Sequence, residues 1–247
     1  MVRSGRIPAL DTWREAILAE SESAGKSRDY HVLDLGTVDF AEASLLQSEL
    51  AALRIAGEIP DVLVFLEHPA VITIGAFGGE RNIVVPRSVL ESKGIPVVHA
   101  DRGGDVTYHG PGQLVGYPIL DLRNRGRDVH QYVHDLEEVI VRTLNDYSIG
   151  AHGDPDYPGI WVGQKKVCAV GIRVVHWVTK HGFALNVSND LTPFSYITPC
   201  GIAGRGVTSM SQLLGLGLKT CEVRDSIVRH FSDVFDMNTH GGVVKQG

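Results

Sequence analysis

The sequence has few cysteines, no excess of basic residues and no long apolar run, and each shortage excludes a class of protein. Its three cysteines form neither an even disulfide framework nor a C-x-x-C metal or redox pair. A formal net charge of -6 argues against a nucleic-acid partner, because phosphate contacts need clustered Lys and Arg. No stretch approaches the roughly 20 apolar residues that span a bilayer, and no signal-peptide segment is recognisable. We therefore expect free thiols in a cytoplasmic protein that binds neither nucleic acid nor membrane.

Short apolar, β-branched runs separated by Gly, Pro and Asn predict a series of strands. A hairpin is expected at Gly163-Gln164, between two of these runs. The predicted strands are HVLDLG, VLVFLEHP, AVITIG, IPVVH, DVTY, LVGYPIL, GIWVG, KVCAVGIRVV and HGFALNV.

Helical spacing of apolar residues predicts helices between these strands. Asp39, with Glu42 three residues later, resembles a cap that opens a helix through about Ala56. One helix with a single apolar face follows Asp128, and the last begins near Thr220. Leu10, Trp13, Ile17 and Leu18 indicate a leading helix. The elements follow no regular βαβ period, so we expect the α/β (α+β) class with a mixed, largely antiparallel β-sheet flanked by helices.

A composition shift near residues 20–29 indicates two parts of the chain. Residues 1–30 are expected to be a helical extension with a linker, and residues 31–240 a single catalytic domain.

Two segments carry candidate chemistry. DRGGDVTYHGPGQ (101–113) combines many glycines with Arg102 and His109, which suits a loop that holds a ligand by its backbone, and a set of tight hairpin turns is the alternative explanation of the glycines. PCGI (199–202) places Cys200 between two residues that break regular structure. A thiol reacts as its thiolate, so Cys200 needs a nearby cation, and Lys166 is a candidate unless its ammonium points to solvent.

Other polar residues have simpler explanations. Cys168 follows Lys166 by two residues and shares its face in a regular strand, so it is a rival thiol, although its apolar surroundings favour core packing. Cys221 lies near a helix N-terminus. His130 and His134 have a zinc-compatible spacing but lack the H-E-x-x-H pattern. Arg173, His181 and Asn186 are polar residues within apolar strands, where partnered structural groups are more common than catalysts.

At these residues the chain resembles the lipoyl(octanoyl)transferase family. The matching blocks are LEHP, T-x-G (73–75), DRGGDVTYHGPGQ, GYP, GIWV, KKVCAVGIRV, HGFALN and PCGI, in the order of the family and over about residues 31–215. Two positions depart from the pattern: Cys168 stands where alanine is common, and Ala76 stands where a basic residue or Gln is frequent. The resemblance implies a biotin/lipoate protein ligase-like fold.

The resemblance also implies a reaction and a set of site residues. Octanoyl-acyl carrier protein would donate its acyl group to Cys200, with Lys166 lowering the pKa of the thiol, and no cofactor or metal would be needed. The acceptors would be lysines in lipoyl domains of 2-oxoacid dehydrogenase E2 subunits and the glycine cleavage H protein. The implied substrate-binding residues are Arg102, Gly103, Gly104, Asp105, Val106, Thr107, Tyr108, His109, Ala169, Val170, Gly171, Gly182, Phe183 and Ala184.

Two alternatives stay open. An ATP-dependent lipoate or biotin protein ligase shares the fold and the Gly-rich loop but activates a free acid as an adenylate and needs no cysteine. A non-catalytic protein that binds acyl groups or lipoyl domains is the other alternative. Cys200 and Lys166 together argue against both.

Overall fold

The computed structural model describes residue 17, residues 29–198 and 205–239, and the backbone of residues 244–245. Ile17 is helical and fully buried, which agrees with the predicted leading helix. Leu10, Trp13 and Leu18 lie outside the described residues, as does the PCGI segment with Cys200.

The strands alternate with helices along the chain. The strands are β1 Asp29–Thr37, β2 Asp61–Glu67, β3 Val71–Ile74, β4 Val97–His99, β5 Val106–His109, β6 Gln113–Ile119, β7 His152–Gly153, β8 Ile160–Val162, β9 Lys165–Val175, β10 Val178–Asn186, β11 Gly206–Val207, β12 Asn238–Thr239 and β13 Val244–Lys245. The helices are α1 Phe40–Ala56, α2 Arg87–Ser92, α3 Val129–Asp146, α4 Met210–Leu214 and α5 Thr220–Phe235.

Two sheets are formed by the described strands. The larger follows the order β12-β1-β2-β6-β10-β9-β8-β7, and β13 and β11 add to β1 and β9. β1 is parallel to β2, β12 and β13, whereas each successive pair from β2 to β7 along this order is antiparallel. The smaller sheet has the order β4-β3-β5. The predicted mixed, largely antiparallel sheet with helices is confirmed.

Strand β2 shows why its sequence is apolar throughout. Val62, Val64 and Leu66 belong to the core beneath α1, whereas Leu63 and Phe65 belong to the core beneath α3 and α5. A strand covered by helices on both faces has no solvent side, so the usual apolar–polar alternation is absent.

The helix boundaries follow local hydrogen bonds that the sequence indicates. The Asp39 carboxylate accepts the N–H of Ala41 at 2.8 Å and caps α1, and Asp128 accepts the N–H of Gln131 at 3.0 Å and caps α3. Both caps satisfy N–H groups that have no partner inside the helix. Gly57 ends α1 in the left-handed region. The predicted cap at Asp39 is therefore confirmed, as is the helix predicted to follow Asp128.

Several short elements have no counterpart among the sequence predictions. Helix α2 spans only Arg87–Ser92, and β7, β11 and β12 have two residues each. Each of these elements spans fewer than two periods of the apolar patterns that reveal helices and strands, so no repeat can be recognised. The β9–β10 hairpin turns at His176 and Trp177, both with positive φ, where the sequence offers none of the glycine or asparagine that signals such a turn. No helix in the described part of the chain is long and apolar enough to cross a membrane.

Replacement of Gly116 tests the packing between β6 and β10. Gly116 stands opposite Phe183, and a Cβ there would lie 2.1 Å from the ring atom Cζ of Phe183. We expect Gly116→Ala to lower the free energy of unfolding by about 1–3 kcal/mol, because a packed core absorbs an added methyl group only with strain. Urea denaturation measures this change.

Gly150→Ala is the matched control. Gly150 is exposed and a Cβ there meets nothing within 4 Å, so its effect should stay within about 0.5 kcal/mol. Equal stability of the two variants would contradict the packing argument.

Candidate active site

A cavity of about 760 Å³, including its open mouth, lies between β9, β10 and the segment 102–109. Of the substrate-binding residues predicted by the resemblance, all but Gly103 and Tyr108 line it, and Lys166 lines it as well. The tertiary fold thus brings three separate parts of the sequence together at one cavity.

The Gly-rich loop packs closely on strand β9. The N–H of Gly103 donates to the carbonyl of Ile172 at 2.8 Å. A Cβ at Gly171 would lie 3.0 Å from the carbonyl oxygen of Gly103, so a side chain there would push the loop away. Gly103 therefore joins the loop to β9, and Tyr108 packs edge-on against Phe194 at 5.5 Å, which explains why neither lines the cavity.

Three backbone carbonyls of the Gly-rich loop form hydrogen bonds within the protein. The carbonyls of Arg102, Gly104 and Asp105 accept the N–H groups of residues 76, 77 and 75 at 2.9–3.1 Å. These bonds fix the loop against the T-x-G segment that follows β3. That the loop backbone holds a ligand stays a prediction, because these hydrogen bonds are made within the protein.

A chain of buried hydrogen bonds runs behind the loop from Arg102 to His109. Arg102 donates from Nη2 to the Thr73 hydroxyl at 2.7 Å and to its carbonyl at 2.9 Å, and from Nη1 to the Gly103 carbonyl at 3.0 Å. Since the hydroxyl oxygen of Thr73 accepts from Arg102, the hydroxyl hydrogen is directed at His109 Nε2, and the two heavy atoms are 3.3 Å apart. Arg102, which is predicted from the sequence to contact a ligand, thus also orients buried side chains of the protein.

The same chain continues from His109 to β10 and β11. Gln113 accepts at Oε1 from His109 Nδ1 at 2.8 Å, because its Nε2 donates to Asn186 Oδ1 at 2.9 Å. Asn186 donates in turn to the carbonyl of Thr208 at 3.0 Å. Each partner therefore defines the direction of the next, and His109 carries its proton on Nδ1. Burial lowers the pKa of His109 well below its usual value, so the ring is neutral.

A second neutral histidine, His68, lies beside this chain. Its Nδ1 donates to the carbonyl of Val38 at 2.7 Å, so its Nε2 accepts from the Tyr117 hydroxyl at 2.8 Å. Burial lowers the pKa of His68 to about 4. Phe40 packs against His68 at 5.3 Å and stacks on His109 at 5.9 Å between ring centroids. Phe40 and Tyr117 both line the cavity, and the sequence analysis missed both.

His181 is a cavity residue that the sequence analysis assigned to a structural role. It has φ of +57° in the middle of β10, and its N–H donates to Gln47 Oε1 at 2.7 Å. Its Nε2 donates to Asp101 at 2.7 Å, and Lys180 donates to the same carboxylate at 3.1 Å. Burial lowers the pKa of His181, although the Asp101 carboxylate opposes this shift. Its Nδ1 has no hydrogen-bond partner among the described residues. Strained and unsatisfied groups of this kind concentrate at functional sites.

Lys166 is buried at the opposite end of the lining from His181. Its side chain belongs to a residue only 8% exposed, which excludes the solvent-facing alternative. Its Nζ donates to the carbonyl of Pro158 at 2.9 Å and lies 4.8 Å from the ring centroid of Trp161. A carbonyl and the face of an indole both stabilise an ammonium away from water.

A β-bulge separates Lys166 from Cys168. Ile160 stands opposite Cys168, whereas the next residue, Trp161, stands opposite Lys166, so Val167 is an extra residue on β9. The expectation that Lys166 and Cys168 share a face is therefore wrong. Cys168 is fully buried in the core beneath α3 and α5, and burial raises the pKa of its thiol. The core-packing interpretation of Cys168 is confirmed.

Of the other candidates, Asn186 lines the cavity, whereas Cys221, His130 and His134 do not. Cys221 is exposed in the first turn of α5.

The described residues that flank the PCGI segment differ in their position. Val207 lines the cavity and pairs with Lys166. Thr198 donates its N–H to the carbonyl of Asn82 at 2.8 Å, and neither Thr198 nor Asn82 lines the cavity.

Comparison with known structures first defines the class of protein. A putative lipoate protein ligase from T. acidophilum superposes with a TM-score of 0.67 at 18% identity, covering 87% of this chain and 89% of that one. A lipoate-protein ligase A bound with ATP superposes with a TM-score of 0.66 at 17% identity, covering 89% of each chain. These likenesses establish the fold of lipoate ligases.

Sequence comparison then establishes the family. The octanoyltransferase of Solibacter usitatus is 51% identical over 202 residues, which are 82% of this chain and 91% of that protein. The octanoyltransferase of Caldicellulosiruptor bescii is 48% identical over 207 residues, 83% of this chain and 91% of that protein. The family model of the lipoyl protein ligase A/B catalytic domain matches residues 39–232. The chain belongs to this family, which confirms the resemblance.

The neutral histidines predict a loss of stability in mild acid. The unfolded chain protonates His68 near pH 6.5, whereas the folded chain resists protonation until about pH 4. The stability that His68 contributes is therefore complete above pH 6.5 and is lost as the pH falls toward 4. Between pH 7.5 and pH 5, His68 should account for a loss of about 2 kcal/mol in the free energy of unfolding.

Urea denaturation of the wild type and of His68→Gln at both pH values measures this loss. The variant keeps groups that donate to Val38 and accept from Tyr117 but does not titrate. The stability difference between pH 7.5 and pH 5 should be about 2 kcal/mol smaller in the variant. An unchanged difference would show that His68 is already protonated in the fold.

Proposed function

We propose that this chain is an acyltransferase that moves an octanoyl group from an acyl carrier protein, through a thioester on Cys200, to a lysine of a lipoyl domain. The buried ammonium of Lys166 is the observation that carries the proposal. It lies at the cavity beside β11, which follows the PCGI segment by only a few residues. The octanoyltransferases that match more than four fifths of the chain support the same activity.

The reaction has two balanced steps. The Cys200 thiolate attacks the thioester carbonyl of the donor, and the carrier thiolate leaves and takes up a proton. The amine of the acceptor lysine then attacks the enzyme thioester, forms the amide, loses a proton and releases the Cys200 thiolate. A covalent intermediate divides one difficult transfer into two easier ones.

Lys166 supports this chemistry by its charge. A cation within about 4 Å of a thiolate contributes roughly 4 kcal/mol at an effective dielectric constant of about 20. Such an interaction lowers the pKa of the thiol, which makes the nucleophile available at neutral pH. We also propose that Lys166 relays protons: its ammonium protonates the leaving carrier thiolate, and the resulting amine then accepts the proton that the acceptor lysine loses.

The other two cysteines do not meet the requirements of the nucleophile. Cys168 lies in the core and does not line the cavity, and burial favours its protonated thiol. Cys221 is exposed on α5 and also does not line the cavity. Cys200 is therefore the proposed nucleophile.

We also propose that the residues lining the cavity limit the length of the acyl chain. His181 stands opposite Ile172 on β9, six residues beyond Lys166, which corresponds to roughly 15–20 Å along the strand. Phe40 stacks on His181 with ring centroids 6.5 Å apart and closes this end of the cavity together with Tyr117. We assign the acyl carbonyl to the Lys166 end and the chain terminus to the Phe40 end.

The proposed donor is octanoyl-acyl carrier protein, and the proposed acceptors are lipoyl domains of 2-oxoacid dehydrogenase E2 subunits and the glycine cleavage H protein. The proposed location of these encounters is the cytoplasm, as expected from the sequence. The reaction as written consumes no ATP and uses no metal, because the donor thioester is already activated.

Intact mass spectrometry after incubation with octanoyl carrier protein tests the nucleophile. We expect a single octanoyl adduct that hydroxylamine removes, that is lost in Cys200→Ala and that persists in Cys168→Ala. An adduct that survives in Cys200→Ala would reject the assignment. Lipoyl-domain octanoylation that requires ATP and free octanoate would favour the ligase instead.

Lys166→Ala tests the role of the ammonium. Without the cation, the pKa of the Cys200 thiol should rise by about one unit or more, and acylation at pH 7 should slow by about tenfold or more. The pH dependence of alkylation by iodoacetamide measures the thiol pKa. A profile identical to that of the wild type would exclude this role.

Phe40→Ala tests the closed end of the cavity. Removal of the ring should raise the kcat/KM for a dodecanoyl donor relative to an octanoyl donor by about tenfold or more, since each newly buried methylene contributes about 0.8 kcal/mol. Leu45→Ala on the exposed face of α1 is the control, because Leu45 is 67% exposed. An unchanged chain-length preference in Phe40→Ala would place the limit elsewhere.

A further inference from the structure

The segment 154–159, called the strap here, crosses over Lys166 between β7 and β8. Its Pro158 carbonyl accepts from Lys166 Nζ at 2.9 Å. Its Gly159 has φ of +121°, and a Cβ there would lie 2.6 Å from the carbonyl oxygen of Cys168 and 3.3 Å from Cε of Lys166. The strap backbone therefore rests directly on the lysine side chain, and its position determines where the ammonium lies.

Two contacts hold the strap in place. At one end, Asp154 pairs with Arg205 at 2.6 Å, and the guanidinium lies 4.4 Å from the ring of Tyr157 and 4.7 Å from the ring of Trp161. At the other end, the N–H of Gly159 donates to Oε1 of Glu137 at 3.0 Å. Glu137 is on α3, which otherwise packs on the sheet by apolar side chains.

Glu137 is a carboxylate in a place that disfavours charge. Burial raises its pKa, whereas the Gly159 N–H, His134 and Lys166 act in the opposite direction. Within the described residues, no salt bridge holds its carboxylate. Partial burial of an ionised carboxylate costs free energy unless a hydrogen bond or an opposite charge compensates it. Its neighbour Glu138 differs, because it is 38% exposed and pairs with Arg142 at 2.8 Å on the outer side of the helix.

We infer that Glu137 is a positioning residue for Lys166: it fixes the Pro158 carbonyl on the ammonium through Gly159, and its negative charge attracts that ammonium. This inference rests on the proposed role of Lys166. The charged and titratable groups around the pair are His134 on α3, Cys168 on β9, and Asp154 and Arg205 at the far end of the strap. Asp154 and Arg205 compensate each other, and Glu137 is a described anion whose charge acts on Lys166.

Glu137→Gln separates charge from geometry. The amide keeps an oxygen that accepts from Gly159 but removes the negative charge that attracts the ammonium. In the pH profile of kcat/KM for acylation, we expect the alkaline limb to move to a lower pH by about 0.5–1 unit. Glu138→Gln removes an equal charge one residue away and should leave the limb unchanged.

Glu137→Asp provides a second variant that retains the charge. Its shorter side chain does not reach Gly159, so we expect a slower acylation with the alkaline limb at the wild-type pH. Thermal unfolding of each variant verifies that it is folded. A structural role alone would change the melting temperature without moving the limb.

The outcomes distinguish the inference from the proposed function. If Lys166→Ala is impaired but the alkaline limb of Glu137→Gln coincides with that of the wild type, the inference fails and the proposed function stands. If Cys200 is never acylated by octanoyl carrier protein in the wild type, the proposed function fails, and the inference fails with it. A limb that moves equally in Glu137→Gln and Glu138→Gln also overturns the inference, because the effect would be one of net charge.

Discussion

The antiparallel hairpin of β9 and β10 is the constraint on which the rest of the structure depends. Its register places Ala169, Gly171 and Gly182 along the cavity and Cys168 in the core. The bulge at Val167 shifts this alternation by one residue, which directs Lys166 into the cavity rather than beneath the helices. Because the side chains of a strand alternate between its two faces, one extra residue reverses which residues lie on each face. The bulge thus leaves the Lys166 ammonium in the cavity and the Cys168 thiol in the core.

The buried polar side chains from Arg102 to Asn186 are tolerated because hydrogen bonds define which atom of each one donates and which accepts. The hydrogen bonds that run from Arg102 through Thr73, His109, Gln113 and Asn186 leave no ambiguity about which atom donates. A buried network that is fully satisfied adds rigidity, whereas a partly satisfied one is costly. The Gly-rich loop is held against this network and against β9, so the cavity has one firm wall made of loop and one made of sheet.

Much of the fold follows from local patterns in the sequence. The caps at Asp39 and Asp128, the strands around Val64 and the hairpin at Gly163 could be predicted because their signals lie within a few neighbouring residues. The rest of the site could not. Phe40, Tyr117 and His181 line the cavity from α1, β6 and β10. Strands β6 and β10 are buried throughout, so no alternation marks the face that turns to the cavity, and Phe40 at the start of α1 has the pattern of an ordinary core residue.

The sequence by itself determined the class of fold, the family and the residue types available for chemistry, because short motifs such as DRGGDVTYHGPGQ and HGFALN encode turns, strands and close backbone approach locally. Only the tertiary structure decided what these residues do to each other. It buried the Lys166 ammonium under a carbonyl and an indole, moved Cys168 to the opposite face, and brought Glu137 from a distant helix to the strap above Lys166. The reason is physical: charge and protonation depend on distance and burial, which no pattern along the chain contains.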